Sequence, residues 1–291
     1  MTSQKIIPSI WFNRTADEAA AFYTSVFPDT TIVQTVRYPE TGLLPFQEEF
    51  AGQTLTIDID IAGTRLSLIN ADEHFAPNPS ISFVLNFDPS VLPDAKAQLE
   101  RAWEQLVDGG HVLMPLGEYP FMARYGWLAD RFGVNWQLCL TDPAGDPRPF
   151  VTPQLLFVGE APQAEAASAK YIKLFDGSRG ATLPNPDVPG AVMYSDFQLA
   201  GQWFSAIDGG RDHEFSFSEG VSLLVEADGQ EELDRLWAAL SAVPEAEACG
   251  WCKDEFGVSW QIVPANLGEL MQKPGAYSRL MGMKKIVIDD F

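Results

Sequence analysis

The chain has 291 residues, 46% hydrophobic and 20% charged, so it is neither disordered nor fibrous and is long enough for two ordinary domains. Its 40 acidic and 19 basic residues give a net charge of −21, which disfavours nucleic acid and anionic membranes as partners. No apolar stretch approaches the roughly 18 residues of a membrane span, and we recognise no signal peptide, so we expect a cytoplasmic protein. Three cysteines, an odd number, fit a reducing compartment better than a disulfide framework.

The first 70 residues predict the order β-α-β-β-β. Residues 5–12 form an apolar strand, and Thr15 with Glu18 predicts a capping box at the start of a helix that continues to about Phe27. A β-branched stretch predicts the second strand, and a turn at Ala62 and Gly63 joins two alternating strands. These predicted strands span residues 30–38, 54–61 and 65–69.

The same order repeats more loosely up to about Leu140. A strand at residues 80–87 precedes a helix at 93–107, whose apolar residues recur at helical spacing. A short strand at 111–114 and a closing hairpin complete the unit. Residues 142–149 contain three prolines and one glycine, which is typical of a linker.

A tandem repeat then becomes visible in the closing hairpin. Residues 126–139 read GWLADRFGVNWQLC, and residues 250–263 read GWCKDEFGVSWQIV without a gap. We therefore predict four segments: domain 1 at residues 1–141, a linker at 142–149, domain 2 at 150–266, and a C-terminal tail at 267–291 that packs on the domains.

The chain resembles the vicinal oxygen chelate superfamily, which includes glyoxalase I, bleomycin-resistance proteins and extradiol dioxygenases. Within it, the chain is similar to the PhnB-like branch, often labelled 3-demethylubiquinone 3-methyltransferase. The resemblance implies an α+β fold of two tandem domains, each with two βαβββ halves curling into a cup-shaped mixed sheet with helices outside. The segments that carry it are Trp11-Phe12-Asn13 with Glu18 and Phe22-Tyr23, Leu68-Ile69-Asn70, His74-Phe75, and residues 126–137, 212–217 and 249–261.

The resemblance also indicates where a metal would bind. In the superfamily enzymes, His and Glu side chains from the first, fourth, fifth and eighth strands hold a divalent metal. The matching positions here are Ser9 or Trp11 and Gln154 or Leu156, then Asn70 and Ile207-Asp208, then Ser80 and Gly220, then Gln137 and Gln261. Because a neutral amide is a poor ligand for a divalent cation, we expect no cofactor, and a divalent metal is disfavoured.

Five residues are instead candidates for binding a small molecule in the cups: Asn70, Trp127, Gln137, Trp251 and Gln261. Core packing is the alternative for each tryptophan. His74 and His213, in the loops before the fifth strands, are the candidates for a catalytic group that polarises a ligand oxygen or acts as a general base. Their alternative is a structural hydrogen bond in a loop.

Two other chemistries are disfavoured. Cys249 and Cys252 form a C-x-x-C motif, but a strand follows it rather than the helix that lowers a thiol pKa in redox sites. Methyl transfer is improbable because no G-x-G-x-x-G motif occurs and the predicted order does not give a parallel α/β sheet.

Three hypotheses about function follow. The first is a protein that binds a small apolar or aromatic molecule in one or both cups without a catalytic metal. The second is a metal-dependent glyoxalase, dioxygenase or resistance-type enzyme, and the third is a scaffold with a degenerate cup. Whether the protein is an enzyme is left open, as is a homodimer, while the two domains are expected to pair within the chain.

Overall fold

A computed structural model describes residues 4–291 of the chain, which form a mixed α+β structure. The strands are β1 (Ile6–Asn13), β2 (Thr30–Arg37), β3 (Thr54–Ile61), β4 (Thr64–Ala71), β5 (Ile81–Phe87), β6 (His111–Tyr119), β7 (Met122–Ala129), β8 (Asn135–Leu140), β9 (Val151–Val158), β10 (Ser178–Pro184), β11 (Val192–Leu199), β12 (Gln202–Gly210), β13 (Val221–Ala227), β14 (Trp251–Lys253) and β15 (Ser259–Pro264). The helices are α1 (Ala16–Val26), α2 (Ala95–Val107), α3 (Ala164–Leu174), α4 (Gly229–Leu240), α5 (Leu267–Leu270) and α6 (Ala276–Gly282). No helix in this described part of the chain is both long and apolar enough to cross a membrane.

The strands form two sheets, and each sheet takes one half from each repeat. Sheet A has the order β14-β15-β13-β1-β4-β3-β2, and sheet B has the order β10-β11-β12-β9-β5-β8-β7-β6. The halves meet where β1 runs antiparallel to β13 and β5 runs antiparallel to β9. The predicted tandem fold with two cup-shaped mixed sheets is confirmed. Each sheet joins the first half of one repeat to the second half of the other repeat.

The predicted capping box at the start of α1 is wrong. Thr15 makes no side-chain hydrogen bond to the helix. The amide N–H of Ala16 instead donates to Oδ1 of Asn70 on β4, at 3.2 Å. The second repeat uses the same arrangement, because Oδ1 of Asp208 on β12 accepts from the amides of Gln163 and Ala164 at 2.8 and 3.0 Å. A side chain from the fourth strand of each repeat therefore caps its first helix.

The repeated Asp-x-Phe-Gly-Val-x-Trp sequence forms a buried hydrogen-bonded turn. In the first copy, Oδ1 of Asp130 accepts the amides of Phe132 and Val134 at 2.8 and 3.0 Å. Its Oδ2 accepts the hydroxyl of Tyr23 at 2.7 Å and the indole N–H of Trp136 at 2.8 Å. All four acceptor positions of this carboxylate are used, so the motif has a structural role.

The second copy reproduces the first atom for atom. Asp254 accepts the amides of Phe256 and Val258 at 2.9 and 3.0 Å through Oδ1. Oδ2 accepts the hydroxyl of Tyr171 at 2.6 Å and the indole N–H of Trp260 at 2.8 Å. The matching geometry explains why both copies keep the same spacing of Asp, Gly, Val and Trp.

These two carboxylates connect the sheets. Tyr23 belongs to α1, which packs on the strands of sheet A, whereas Asp130 lies in the turn between β7 and β8 of sheet B. Tyr171 belongs to α3 on sheet B, and Asp254 lies in the turn between β14 and β15 of sheet A. Each repeat is thus held together across the two sheets rather than through strand pairing.

The tail spans sheet A from one edge to the other. The amides of Cys249 and Gly250 donate to the carbonyls of Met283 and Lys284 at 2.7 and 2.8 Å, just before β14. At the other end, the hydroxyl of Tyr277 donates to Oε1 of Gln47 at 3.0 Å, in the loop after β2. Since β14 and β2 are the two edge strands of sheet A, the tail links both edges of that sheet.

We expect Asp130→Asn to lower the free energy of unfolding by about 2 kcal/mol, because the new amide nitrogen leaves buried donors of Tyr23 or Trp136 without an acceptor. Asp254→Asn should have a similar effect, since its contacts are the same. Chemical denaturation measures the change. Asp108→Asn removes the same charge at an exposed position and is the control; equal stability of Asp130→Asn and this control would contradict the structural role.

The buried carboxyl of Asp130 also makes the free energy of unfolding depend on pH. Burial raises the pKa of Asp130 above its usual 3.8, and its hydrogen bonds oppose that shift only in part. The native state therefore binds the proton more tightly than the unfolded chain, so the stability from this group is present below 3.8 and is lost as pH rises through the raised pKa. The free energy of unfolding of the wild type minus that of Asp130→Asn should fall as pH rises from 3.8 through the raised pKa. A difference that rises with pH would contradict the assignment.

Candidate functional site

The face of each sheet opposite helices α1 to α4 forms a cup, with four buried polar side chains at its centre. In sheet A, Ser9 on β1 stands beside Ser67 on β4 and Ser222 on β13, and Gln261 on β15 completes the set. In sheet B, the equivalent set is Gln154 on β9, Ser205 on β12, Ser82 on β5 and Gln137 on β8. We call these faces cup A and cup B, and each set the floor of its cup.

Only some of the positions at which the resemblance places a metal lie on these floors. Two floor positions belong to the first strand of each repeat, namely Ser9 and Gln154. Two others belong to the last strand of each repeat, namely Gln137 and Gln261. Asn70 and Asp208 do not lie on the floors, because both side chains turn to the helical side and cap α1 and α3. The fourth-strand positions on the floors are Ser67 and Ser205. The fifth-strand positions are Ser82 and Ser222, two residues beyond Ser80 and Gly220.

In cup B, the floor residues satisfy one another. The side-chain amide of Gln137 donates to Oγ of Ser82 at 2.8 Å and to Oε1 of Gln154 at 2.6 Å. Gln154 donates in turn to Oγ of Ser205 at 3.2 Å. The hydroxyl of Tyr125 on β7 also donates to Oε1 of Gln137, at 2.7 Å. This floor is a closed hydrogen-bond network.

In cup A, the floor is less fully bonded. Gln261 donates to Oγ of Ser222 at 2.7 Å. Ser9 is only 1% exposed, and its Oγ has no hydrogen-bond partner within residues 4–291. Ser9 also occupies the position that the longer Gln154 fills in cup B, so the network of cup B has no counterpart here. A buried hydroxyl without a partner is uncommon and indicates a place for another polar group.

Aromatic side chains form the walls of the cups. Trp251 on β14 is paired in register with Gln261, and Trp127 on β7 with Gln137, so both indoles share the faces of the floors. In cup A, the ring of Trp11 lies 6.3 Å from that of Trp251 and 5.1 Å from that of Phe75. The sequence candidates Trp127, Gln137, Trp251 and Gln261 are thus in the cups, whereas Trp136 and Trp260 are fully buried on the helical side.

The two histidine candidates lie in exposed loops beside different cups. The ring of His74 is 5.5 Å from that of Phe75, which contacts Trp11 in cup A. A side chain on Gly209 would come within 3.0 Å of Nε2 of His213 and within 2.6 Å of Leu156, so this imidazole packs at the rim of cup B. The structure does not bring the two histidines together in one site.

The floors do not fit the metal centre of the superfamily enzymes. Their eight side chains are hydroxyls and amides, which are weak ligands for divalent cations that prefer carboxylate or imidazole. Among residues 4–291, no group of three or more His, Cys, Asp or Glu side chains is placed to hold a metal ion.

The C-x-x-C pair does not have the properties of a redox site. Burial raises the pKa of Cys249 to about 11 and that of Cys252 to about 12. Both thiols therefore stay protonated near neutral pH, whereas a redox cysteine reacts as the thiolate.

Comparison with known proteins identifies the family. The family model described as 3-demethylubiquinone-9 3-methyltransferase matches residues 4–139 and 149–263. A Bacillus cereus protein titled putative 3-demethylubiquinone-9 3-methyltransferase, PhnB protein, is 32% identical and covers 47% of this chain and 100% of its own, with a TM-score of 0.41. A Pseudomonas aeruginosa protein is 24% identical and covers 47% of this chain and 98% of its own, with a TM-score of 0.40.

Glyoxalase I from Zea mays has the same tandem fold. It covers 92% of this chain and 97% of its own, with a TM-score of 0.53 and 13% identity, so the likeness concerns the fold alone. The comparison with curated proteins gave no match. With its repeated family match and its two cup-shaped sheets, the chain belongs to the PhnB-like family described as 3-demethylubiquinone-9 3-methyltransferase, within the vicinal oxygen chelate superfamily.

Proposed function

We propose that this protein binds a small apolar or aromatic molecule in a cup without a catalytic divalent metal. The observation that carries the proposal is the chemistry of the floors. In both cups, the positions that hold the metal in the superfamily enzymes carry only serine and glutamine, and tryptophan stands beside them. Apolar walls around a few placed polar groups are typical of sites for small organic ligands.

The walls and the floors of the cups would contribute different interactions to binding. The indole rings of Trp11 and Trp251 offer apolar area and flat faces, which favour aromatic ligands. The floor hydroxyls and amides can then orient the ligand through hydrogen bonds. Because strands of both repeats pair within one chain, neither cup needs a second copy of the protein to be complete. Three free cysteines fit a reducing compartment such as the cytoplasm.

The other functions have less support. A metal-dependent glyoxalase, dioxygenase or resistance-type mechanism needs a Lewis acid, and the floor side chains are poorly suited to hold one. Methyl transfer, named in the family description, typically uses a doubly wound parallel sheet, whereas sheets A and B mix parallel and antiparallel pairs. A scaffold with no ligand remains the third hypothesis, and it predicts that no small molecule stabilises the fold.

A titration with N-phenyl-1-naphthylamine, a neutral aromatic dye that fluoresces in apolar surroundings, tests the proposal. We expect saturable binding that is unchanged by EDTA, because no metal takes part. At about 100 times its dissociation constant, the dye should raise the free energy of unfolding by about 2.7 kcal/mol, since it binds only the native state. Fluorescence and denaturation in the presence of dye give both quantities.

Two results would contradict the proposal. Binding that EDTA abolishes and Zn²⁺ or Ni²⁺ restores would favour the metal-dependent enzyme. No saturable binding and no gain in stability with this dye would favour the scaffold.

A further inference from the structure

We propose that the edge strand β2 of sheet A pairs with β2 of a second copy of the chain and forms an antiparallel homodimer. The inference is independent of the proposed function, because the strands of each cup come from one chain. It concerns an exposed sheet edge whose apolar side chains, hydrogen-bonding groups and charges suit an identical strand.

Strand β2 has the features of an edge that accepts another strand. It has eight residues, and seven of them are exposed. Six of the eight are β-branched, and none is proline, glycine or acidic. Ile32 and Val33 are 52% and 55% exposed. Because β2 pairs only with β3, the backbone groups on its other side have no neighbouring strand within residues 4–291.

The other three sheet edges formed by residues 4–291 are protected. Strand β14 has only three residues, and the amides just before it donate to carbonyls of the tail. Strand β6 contains Pro115 and shifts register against β7 three times. Strand β10 contains Gly180 and ends at Pro184. Short strands, prolines and irregular pairing are common means of keeping a sheet edge from pairing, and β2 is neither short nor interrupted by proline.

Four side chains of β2 point to the helical face of sheet A. They are Thr30, Ile32, Thr35 and Arg37, in register with Ile61, Ile59, Ile57 and Thr54 of β3. The three isoleucines are buried in the core. The hydroxyl of Thr54 donates to Oδ1 of Asp17 on α1 at 3.0 Å. Opposed residues of an antiparallel pair share a face, so the four side chains of β2 point to the helical side as well.

Thr31 and Val36 point to the opposite face, that of cup A. Their register partners are Asp60 and Thr56, which alternate along β3 with the buried isoleucines. Two register shifts against β3 produce this order. The helical-face positions 30, 32, 35 and 37 and the cup-face positions 31 and 36 are therefore symmetric about the midpoint between residues 33 and 34.

A two-fold antiparallel pair requires this symmetry. When the midpoint lies on the two-fold axis, position 30 of one copy is opposite position 37 of the other, 31 is opposite 36, and 32 is opposite 35. Each of these pairs then has both side chains on one face, so the two sheets continue into each other. A slip by one residue would set Ile32 opposite Gln34 or Val36, which point to the other face.

The charges at the ends of β2 favour the same arrangement. Arg37 at one end and Asp29 just before the other end are both exposed, and neither makes an ion pair within residues 4–291. In the two-fold pair, Arg37 of each copy lies beside Asp29 of the other. Exposed ion pairs stabilise little, but they select an orientation. Because β2 carries no acidic residue, two chains of net charge −21 can approach here.

Sedimentation velocity of the full chain tests the dimer, at concentrations from about 1 to about 100 µM in salt that screens the net charge. The mass at the highest concentration should be twice the 32.1 kDa of one chain. Two double variants set like charges opposite each other across the axis: Thr31→Lys with Val36→Lys, and Thr31→Glu with Val36→Glu. Each should weaken the dimer at least about tenfold.

A third double variant at the same two positions is the matched control. Thr31→Lys with Val36→Glu sets a lysine opposite a glutamate in each pair, so its dimer should be as stable as that of the wild type. An equimolar mixture of the Lys-Lys and Glu-Glu variants should also form dimers, because opposite charges then face each other. Both positions are exposed, and thermal unfolding checks that each variant is folded.

Two results would overturn the proposal. A wild type that stays monomeric at about 100 µM would leave this edge to a strand of a different protein. A dimer that all three double variants weaken equally, or that none of them weakens, would exclude the symmetric pairing of β2. Neither result bears on binding in the cups.

Discussion

Two buried carboxylates hold this structure together. Asp130 and Asp254 each accept four hydrogen bonds, two from the backbone of their own turn and two from a Tyr and a Trp. Because the tyrosine comes from a helix on the other sheet, each carboxylate fixes one half of its repeat against the other half. The remaining strands are then free to pair with the partner repeat, and this exchange builds both cups.

The two cups have become different although their scaffolds match. Cup B has glutamine at the first-strand floor position, a closed network and an arginine from the linker. Cup A has the smaller Ser9, and the tail links the two edge strands of its sheet. One scaffold thus supports a floor whose side chains bond one another and a floor on which Ser9 has no partner among the described residues.

The sequence predicted what depends on local spacing. The tandem repeat, the βαβββ order and the hairpin turn at Ala62 and Gly63 were confirmed, because neighbouring residues determine them. The face of Asn70 was predicted wrongly, although alternation with the buried Leu66 and Leu68 places it on the helical side. The pairing of β1 with β13 and of Arg148 with Asp196 joins residues far apart in the chain. No local pattern specifies such contacts, so the exchange of halves and the ion pair of Arg148 with Asp196 required the structure.

The central claim, binding without a metal, is tested most directly by the elemental metal content of protein purified without a metal-affinity tag. The neutral floors of both cups predict a content far below one equivalent per chain for Mg, Mn, Fe, Ni and Zn. Near one equivalent of a single metal per cup, bound tightly enough to survive gel filtration, would contradict the claim. It would also require ligands other than the eight floor residues.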